Sequence, residues 1–270
     1  MKNKFGPYFG FWMLLVAAFA VFTCVSAFGP VKVGRYEMKS SGIWQTLTKA
    51  KSSSVPALTN ADVKGTAQKA EAPAASKPVE TDTVPKTILF IGDSMLDGLS
   101  PRLAAYAKEN GHTLYTVVWY SSTSEFWGNS SKLREYLKKI NPDYVFISLG
   151  ANEMFVKDIA EKRDKYVKNI IRDLGSIPYV WIGPPNWKED TGINDLVAAN
   201  VGADHFFKTK GMKFPRMKDG AHPTHEAAIG WMDSIARWMP AHSSHPIKMK
   251  TPTVKTARPK RVFVHQPSEY

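Results

Sequence analysis

The chain has 270 residues, with 36 Lys and Arg against 24 Asp and Glu and a formal net charge of +12. The excess is +5 over residues 1–85, +2 over residues 86–240 and +5 over residues 241–270, so the basicity belongs to the flanks. No basic stripe interleaved with stacking aromatics runs through the middle, which argues against nucleic-acid binding; the single cysteine, Cys24, leaves the rest of the chain without disulfides, Cys-based zinc sites or a cysteine nucleophile.

Residues 1–7 are a short basic start carrying Lys2 and Lys4, and no further charge occurs until Lys32. An uncharged run of that length exceeds the roughly 20 residues a membrane-spanning helix needs. Residues 8–31 are therefore expected to be an uncleaved transmembrane anchor. Val25-Ser26-Ala27 fits a small-residue cleavage pattern, so a removed signal peptide is the rival reading. Lys32, Arg35 and Lys39 weigh against an outward C-terminus, but a long following domain is exported regardless of such charges. Residues 32–85 become rich in Ser, Ala, Thr, Lys and Pro and read as a flexible linker.

Residues 86–240 alternate two patterns. Apolar runs suited to buried strands occur at 88–91, 114–119, 144–149, 179–182 and, more weakly, 205–207. Between and after them, helical spacing covers about 99–110, 131–140, 155–174, 191–201 and 224–239. Pro142, Gly175 and Pro178 punctuate the pattern. Buried strands alternating with amphipathic helices predict a parallel sheet of five strands covered on both faces. From 241 to 270, Pro246, Pro252, Pro259 and Pro267 interrupt any regular element, and a basic disordered tail is expected. Val262-Phe263-Val264 is a small apolar island there without an assigned role.

The chemistry-bearing residues fall at strand ends. Gly92-Asp93-Ser94 follows the first strand, Gly150-Ala151-Asn152-Glu153 follows the third, and Asp219-Gly220-Ala221-His222 closes the folded part. A serine, an asparagine and an Asp/His pair at the carboxyl edge of one sheet suit acyl-group hydrolysis or transfer. Asp219, His222 and His225 also read D-x-x-H-x-x-H. With no further acidic or His ligand near in sequence, no metal is assigned.

These residues, in this order, resemble the SGNH (GDSL-type) hydrolase superfamily. Gly92-Asp93-Ser94 matches its first block, Gly150-Ala151-Asn152-Glu153 its third and Asp219-Gly220-Ala221-His222 its fifth. Trp181-Ile182-Gly183-Pro184-Pro185 looks like the bacterial envelope-associated branch. The resemblance implies a three-layer α/β/α, flavodoxin-like fold over residues 86–240. It implies Ser94 as nucleophile, His222 as general base and acid, and Asp219 as the residue that orients the imidazole. The N–H groups of Ser94 and Ser122 and the Asn152 amide would hold the oxyanion, with Asp93 and Gly150 in support and no cofactor. Two positions depart from the family pattern: Ser122 stands where a glycine is usual, and Glu153 where an aspartate is usual. Phe126, Trp127, Phe155, Trp181 and Trp187 are expected in or beside the rim loops, where they would stack on sugar, line an acyl pocket or pack in the core.

The expectation is a single-pass inner-membrane serine esterase with a periplasmic catalytic domain. It would remove short acyl groups, O-acetyl first, from cell-envelope carbohydrate, with an envelope protein as a possible partner and no nucleic acid. Alternatives are an O-acyltransferase working with a multi-span membrane partner, a lipase or thioesterase, or a non-catalytic glycan-binding domain.

Overall fold

The computed structural model describes residues 31–33, 36–38 and 79–269. The membrane segment expected over residues 8–31 therefore lies, except for Val31, outside the described residues. The chain divides into two compact units, residues 1–72 and 73–270. In the first, β1 (Val31–Val33) pairs antiparallel with β2 (Tyr36–Met38), Val31 opposite Met38. The start of the expected linker thus contains a small strand pair.

The second unit is built on a six-stranded parallel sheet. Its strands are β3 (Thr87–Gly92), β4 (Thr113–Trp119), β5 (Tyr144–Ser148), β6 (Tyr179–Ile182), β7 (Phe206–Phe207) and β8 (Arg261–His265), in the spatial order β7-β6-β5-β3-β4-β8. The helices are α1 (Leu96–Asn110), α2 (Ser124–Asn129), α3 (Lys132–Ile140), α4 (Ile159–Leu174), α5 (Ile193–Val201) and α6 (His225–His242). The five central strands keep the flavodoxin-like order, and β3 is where the order reverses, β4 lying on one side and β5 on the other.

Side-chain alternation explains both covered faces. Ile88 and Phe90 of β3, with Phe146 of β5 and Ile182 of β6, pack with Leu99 and Leu103 of α1 and Trp231, Met232 and Ile235 of α6. Leu89 and Ile91, with Ile147 and Trp181, pack on the other face with Trp127 of α2, Leu133 of α3, Val167 and Ile170 of α4 and Val197 of α5. Local signals set the ends. Gly111 terminates α1 in the left-handed conformation at φ 78, and Thr224 starts α6 by accepting the Ala227 N–H. Among the described residues no helix is long and apolar enough to cross a membrane.

The tail departs from its expected disorder. Strand β8 lies beside β4, from Tyr115 opposite Arg261 to Trp119 opposite His265. Buried polar groups of α1 hold the approach to it. Arg102 donates to Asp233 Oδ1 (2.7 Å) and to the carbonyls of Val254 (2.8 Å) and Lys255 (3.1 Å). Asn110 exchanges two hydrogen bonds with the Lys250 backbone, both 2.9 Å. Ile247 is buried and bridges to Asp82, so residues on both sides of 86–240 belong to the folded unit. The prolines stop helices here, but they leave an edge strand and side-chain-to-backbone ties intact.

Candidate active site

The carboxyl ends of β3 and β5 meet where the strand order reverses. Gly92, the last residue of β3, sits so close to β5 that a Cβ there would lie 2.3 Å from the Ser148 carbonyl oxygen and 2.4 Å from the Leu96 side chain. Only glycine allows that approach. The chain then turns sharply: the Asp93 N–H donates to Ser148 O (3.3 Å), and Asp93 Oδ1 accepts the Met95 N–H (2.9 Å). Ser94 is thereby held between β3 and α1.

His222 reaches it across 128 positions of sequence, with Ser94 Oγ and His222 Nε2 2.8 Å apart. His222 Nδ1 lies 2.9 Å from Asp219 Oδ2. Asp219 Oδ1 also accepts the N–H groups of Ala221 (2.8 Å) and His222 (2.9 Å). These three donors hold the Asp219 carboxyl down at about 2, the backbone N–H of His222 contributing most. An ionised carboxylate only accepts, so Nδ1 carries the proton and Nε2 accepts the Ser94 hydroxyl. The three-residue spacing works because Gly220 takes a left-handed conformation, φ 72, inside a hairpin-like loop. That loop is closed by Met217 N–H to His222 O (2.8 Å) and Thr224 N–H to Pro215 O (2.9 Å).

Arg216, which sequence reasoning missed, ties this loop to the one after β6. Its guanidinium donates to the carbonyls of Ala221, Pro185 (2.8 Å) and Asn186 (2.9 Å). Bonds to carbonyl oxygens leave no signature in the residue types they join, so no motif marks it.

On the other side, Gly150 takes φ 116 and opens a short 3-10 turn, Ala151–Glu153, that carries the exposed Asn152. Asn152 Nδ2 donates to Ser122 O (3.0 Å) and lies 3.4 Å from Asp93 Oδ2. Ser122 does not present the expected donor. It is fully buried, its N–H closes a turn on Trp119 O (3.1 Å), and its hydroxyl accepts from Trp127 Nε1 (3.0 Å). The neighbouring Ser121 is exposed, adopts φ 57, and its N–H makes no hydrogen bond among the described residues. The Ser94 N–H likewise has no partner among them.

Two buried carboxyls lie behind the site. Burial pushes Asp93 up to about 7 against the pull of the Met95 N–H, and the nearby Glu153 charge adds to the rise. Glu153 is also raised by burial. It accepts from Ser124 N–H and Ser124 Oγ (both 2.7 Å) and from Arg163 Nε (2.9 Å). The Glu153 side chain thus spans from the 3-10 turn to α2 and α4.

The aromatics divide. Trp127 and Trp181 are fully buried and belong to the core, not the rim, and Phe126 packs on Trp119 with ring centroids 5.4 Å apart. Phe155 is 50% exposed and meets Trp187 edge to face at 5.8 Å. Arg216 lies 5.8 Å from the Trp187 ring. A cavity of about 360 Å³ opens beside Ser94 and His222 between α1 and α6. Among the described residues no group of three or more His, Cys, Asp or Glu is placed to hold a metal ion, Asp219, His222 and His225 included.

No family model and no curated protein matches the chain. Solved structures similar to it include a psychrotrophic esterase from Pseudoalteromonas sp. inhibited by monoethylphosphonate, at 19% identity over 56% of this chain and 97% of that one, TM-score 0.41. Another is a two-domain esterase active on acetylated mannans, at 12% identity over 62% of this chain and 53% of that one, TM-score 0.42. A third is described as a putative lipolytic protein of the G-D-S-L family from Desulfitobacterium hafniense, at 14% identity over 56% and 98%, TM-score 0.39.

Proposed function

We propose that this chain is an SGNH-type serine esterase that removes short acyl groups, O-acetyl among them, from cell-envelope carbohydrate. The observation that carries the reading is the unbroken hydrogen-bond line Asp219–His222–Ser94 at the carboxyl edge of a parallel sheet. Ser94 Oγ attacks the ester carbonyl as His222 takes its proton, and His222 returns that proton to the leaving alcohol. Water then cleaves the acyl-Ser94 ester by the same route. The developing oxyanion is held by the Ser94 N–H, by the Asn152 amide hydrogen only loosely engaged with Asp93, and by the Ser121 N–H in place of that of Ser122. One such donor is worth about 100- to 1000-fold in rate.

The exposed Phe155–Trp187 pair supports a carbohydrate substrate, since aromatic faces stack on sugar rings. The uncharged run behind a basic start supports a single-pass inner-membrane anchor with the catalytic domain outside. A fluorophosphonate probe tests the reading: the wild type labels and Ser94→Ala does not. A wild type that resists the probe overturns the enzyme assignment. Release of free acetate from an acetylated glycan, rather than transfer to an added acceptor, separates esterase from acyltransferase.

A further inference from the structure

We infer that the cavity between α1 and α6 is an acyl-chain pocket, so that the preferred acyl group extends several carbons beyond acetyl. The inference rests on the serine-esterase reading and specifies its substrate. The cavity, about 360 Å³, has Ser94 and His222 on its rim. A chain attached to the carbonyl carbon that bonds Ser94 Oγ therefore starts at its mouth.

Away from Ser94 and His222 most of its wall is apolar, formed by Met95, Gly98, Tyr120, Met217, Ala228 and Trp231, with Asp97 and His225 as its other polar residues. The polar atoms of the two aromatic residues are already engaged. Trp231 Nε1 donates to Thr209 Oγ1 (3.0 Å), and the Tyr120 hydroxyl lies 3.2 Å from both carboxylate oxygens of Asp97. Asp97 and His225 offer few partners for the several hydroxyls of a sugar, which would lose water along the rest of the wall, whereas a hydrocarbon chain gains by leaving water there. The helices themselves close together along this wall, because a Cβ at Gly98 would stand 2.7 Å from Ala228 Cβ.

Size argues the same way. Ligand sites run from about 300 to 1,000 Å³, while a group the size of a water occupies about 30 Å³. An acetyl methyl would leave most of this cavity unfilled. Strand order puts the alcohol elsewhere. Tyr120 follows β4, on one side of β3, whereas Phe155 and Trp187 follow β5 and β6, on the other. Acyl chain and sugar thus have separate places on either side of Ser94. The chemistry is unchanged: the acyl carbon exchanges its bond to the alcohol oxygen for one to Ser94 Oγ, and the proton passes through His222 to the alcohol.

The test uses the full-length protein with two ester series, p-nitrophenyl esters from acetyl to dodecanoyl and acetate esters of lengthening alcohols. With the acyl series, kcat/KM should rise about fourfold per methylene and peak at about six to eight carbons. With the alcohol series it should stay within about threefold. Met217→Trp, which puts bulk at the mouth, should lower the hexanoyl-to-acetyl ratio of kcat/KM at least about tenfold. A wild-type profile highest at acetyl, or one that climbs with the alcohol instead, overturns the acyl assignment even if the variant does not fold. Where such a profile accompanies fluorophosphonate labelling, only the pocket assignment falls. Absence of both hydrolysis and labelling removes the esterase reading and this inference together.

Discussion

Two aspartates flank the Ser94–His222 pair, and their surroundings push them in opposite directions. The Asp219 side chain is 48% exposed yet is held at about 2, because three N–H groups converge on it. Asp93, next to Ser94 in sequence, is fully buried and is pushed up to about 7, with the Met95 N–H as its one short hydrogen bond. Exposure alone does not decide how stable a carboxylate anion is; the number of donors aimed at it against its loss of water does. The exposed acid stays ionised and can stabilise an imidazolium. The buried acid, neutral over much of the acidic range, suits the turn that presents Ser94.

The largest effect that separates the two roles comes from Asp219→Asn. If Asp219 orients the imidazole as proposed, neutralising it should cost roughly 10³- to 10⁴-fold in kcat/KM, measured on a small ester, with the fold kept by circular dichroism. The sign with pH follows from the lowered value: the contribution of Asp219 is present above its ordinary 3.8 and is lost only as pH falls through about 2. No acid limb between pH 4 and 6 should therefore trace to it. If Asp93→Asn cost more activity than Asp219→Asn, the assignment of roles would be reversed.

Glu153→Ala probes the buried side through stability. It leaves the Arg163 charge, the Ser124 N–H and the Ser124 hydroxyl without their shared acceptor. Arg163 keeps its second partner, Glu125 at 2.9 Å, so the cost is set by the buried Ser124 donors left unsatisfied, about 1–3 kcal/mol each, readable as a lower urea midpoint. A loss below about 1 kcal/mol, no more than an exposed ion pair is worth, would show that the 3-10 turn does not depend on this brace.

What the sequence made legible was whatever burial writes into residue type. The runs in β3, β5 and β6 are continuous because both their faces are covered, and the helices between them show their spacing for the same reason. That Ser94, His222 and Asp219 come together could be anticipated because the proposed chemistry asks for each of those side-chain types. Ser122 failed as a donor because backbone N–H direction depends on local φ and ψ, and here the left-handed residue is Ser121. Strand β8 was hidden because an edge strand is paired through its backbone and leaves Val262 and Val264 about half exposed. Trp127 and Trp181 sit in segments that read as rim, and only packing put them inside. Arg216 was invisible for the opposite reason, since a long polar side chain bracing two loops looks like any surface arginine.

Asp93→Asn sharpens the comparison through its pH dependence. A carboxyl raised in the folded state binds its proton there while the unfolded chain has already lost it. Its contribution is therefore fully present below about 3.8 and is lost as pH rises through about 7. The wild type should lose stability across that window, by an amount on the order of 4 kcal/mol at most. Asparagine keeps an acceptor for the Met95 N–H, so the variant should fold with a flatter profile between pH 4 and 7, as read from Tm at each pH. Glu153 is raised too and gives a slope of the same sign, so flattening is partial. An unchanged slope would mean that Asp93 is ionised throughout.

The smallest effect belongs to Phe155. Half exposed and touching Trp187 at its edge, it adds little to folding, so Phe155→Ala should shift stability by no more than about 0.5 kcal/mol. The fully buried Trp127→Ala, by contrast, should cost about 3–5 kcal/mol. On activity the order inverts. If the Phe155–Trp187 pair carries the sugar, Phe155→Ala should raise KM for an acylated oligosaccharide several-fold, within the roughly 0.5–1.5 kcal/mol that such ring contacts are worth. Its kcat, and its kcat/KM for a p-nitrophenyl ester, should stay where they were, because that small alcohol does not extend over β5 and β6. Equal losses on both substrates would place Phe155 in the packing around Asn152 and leave the sugar without a platform on that side of Ser94.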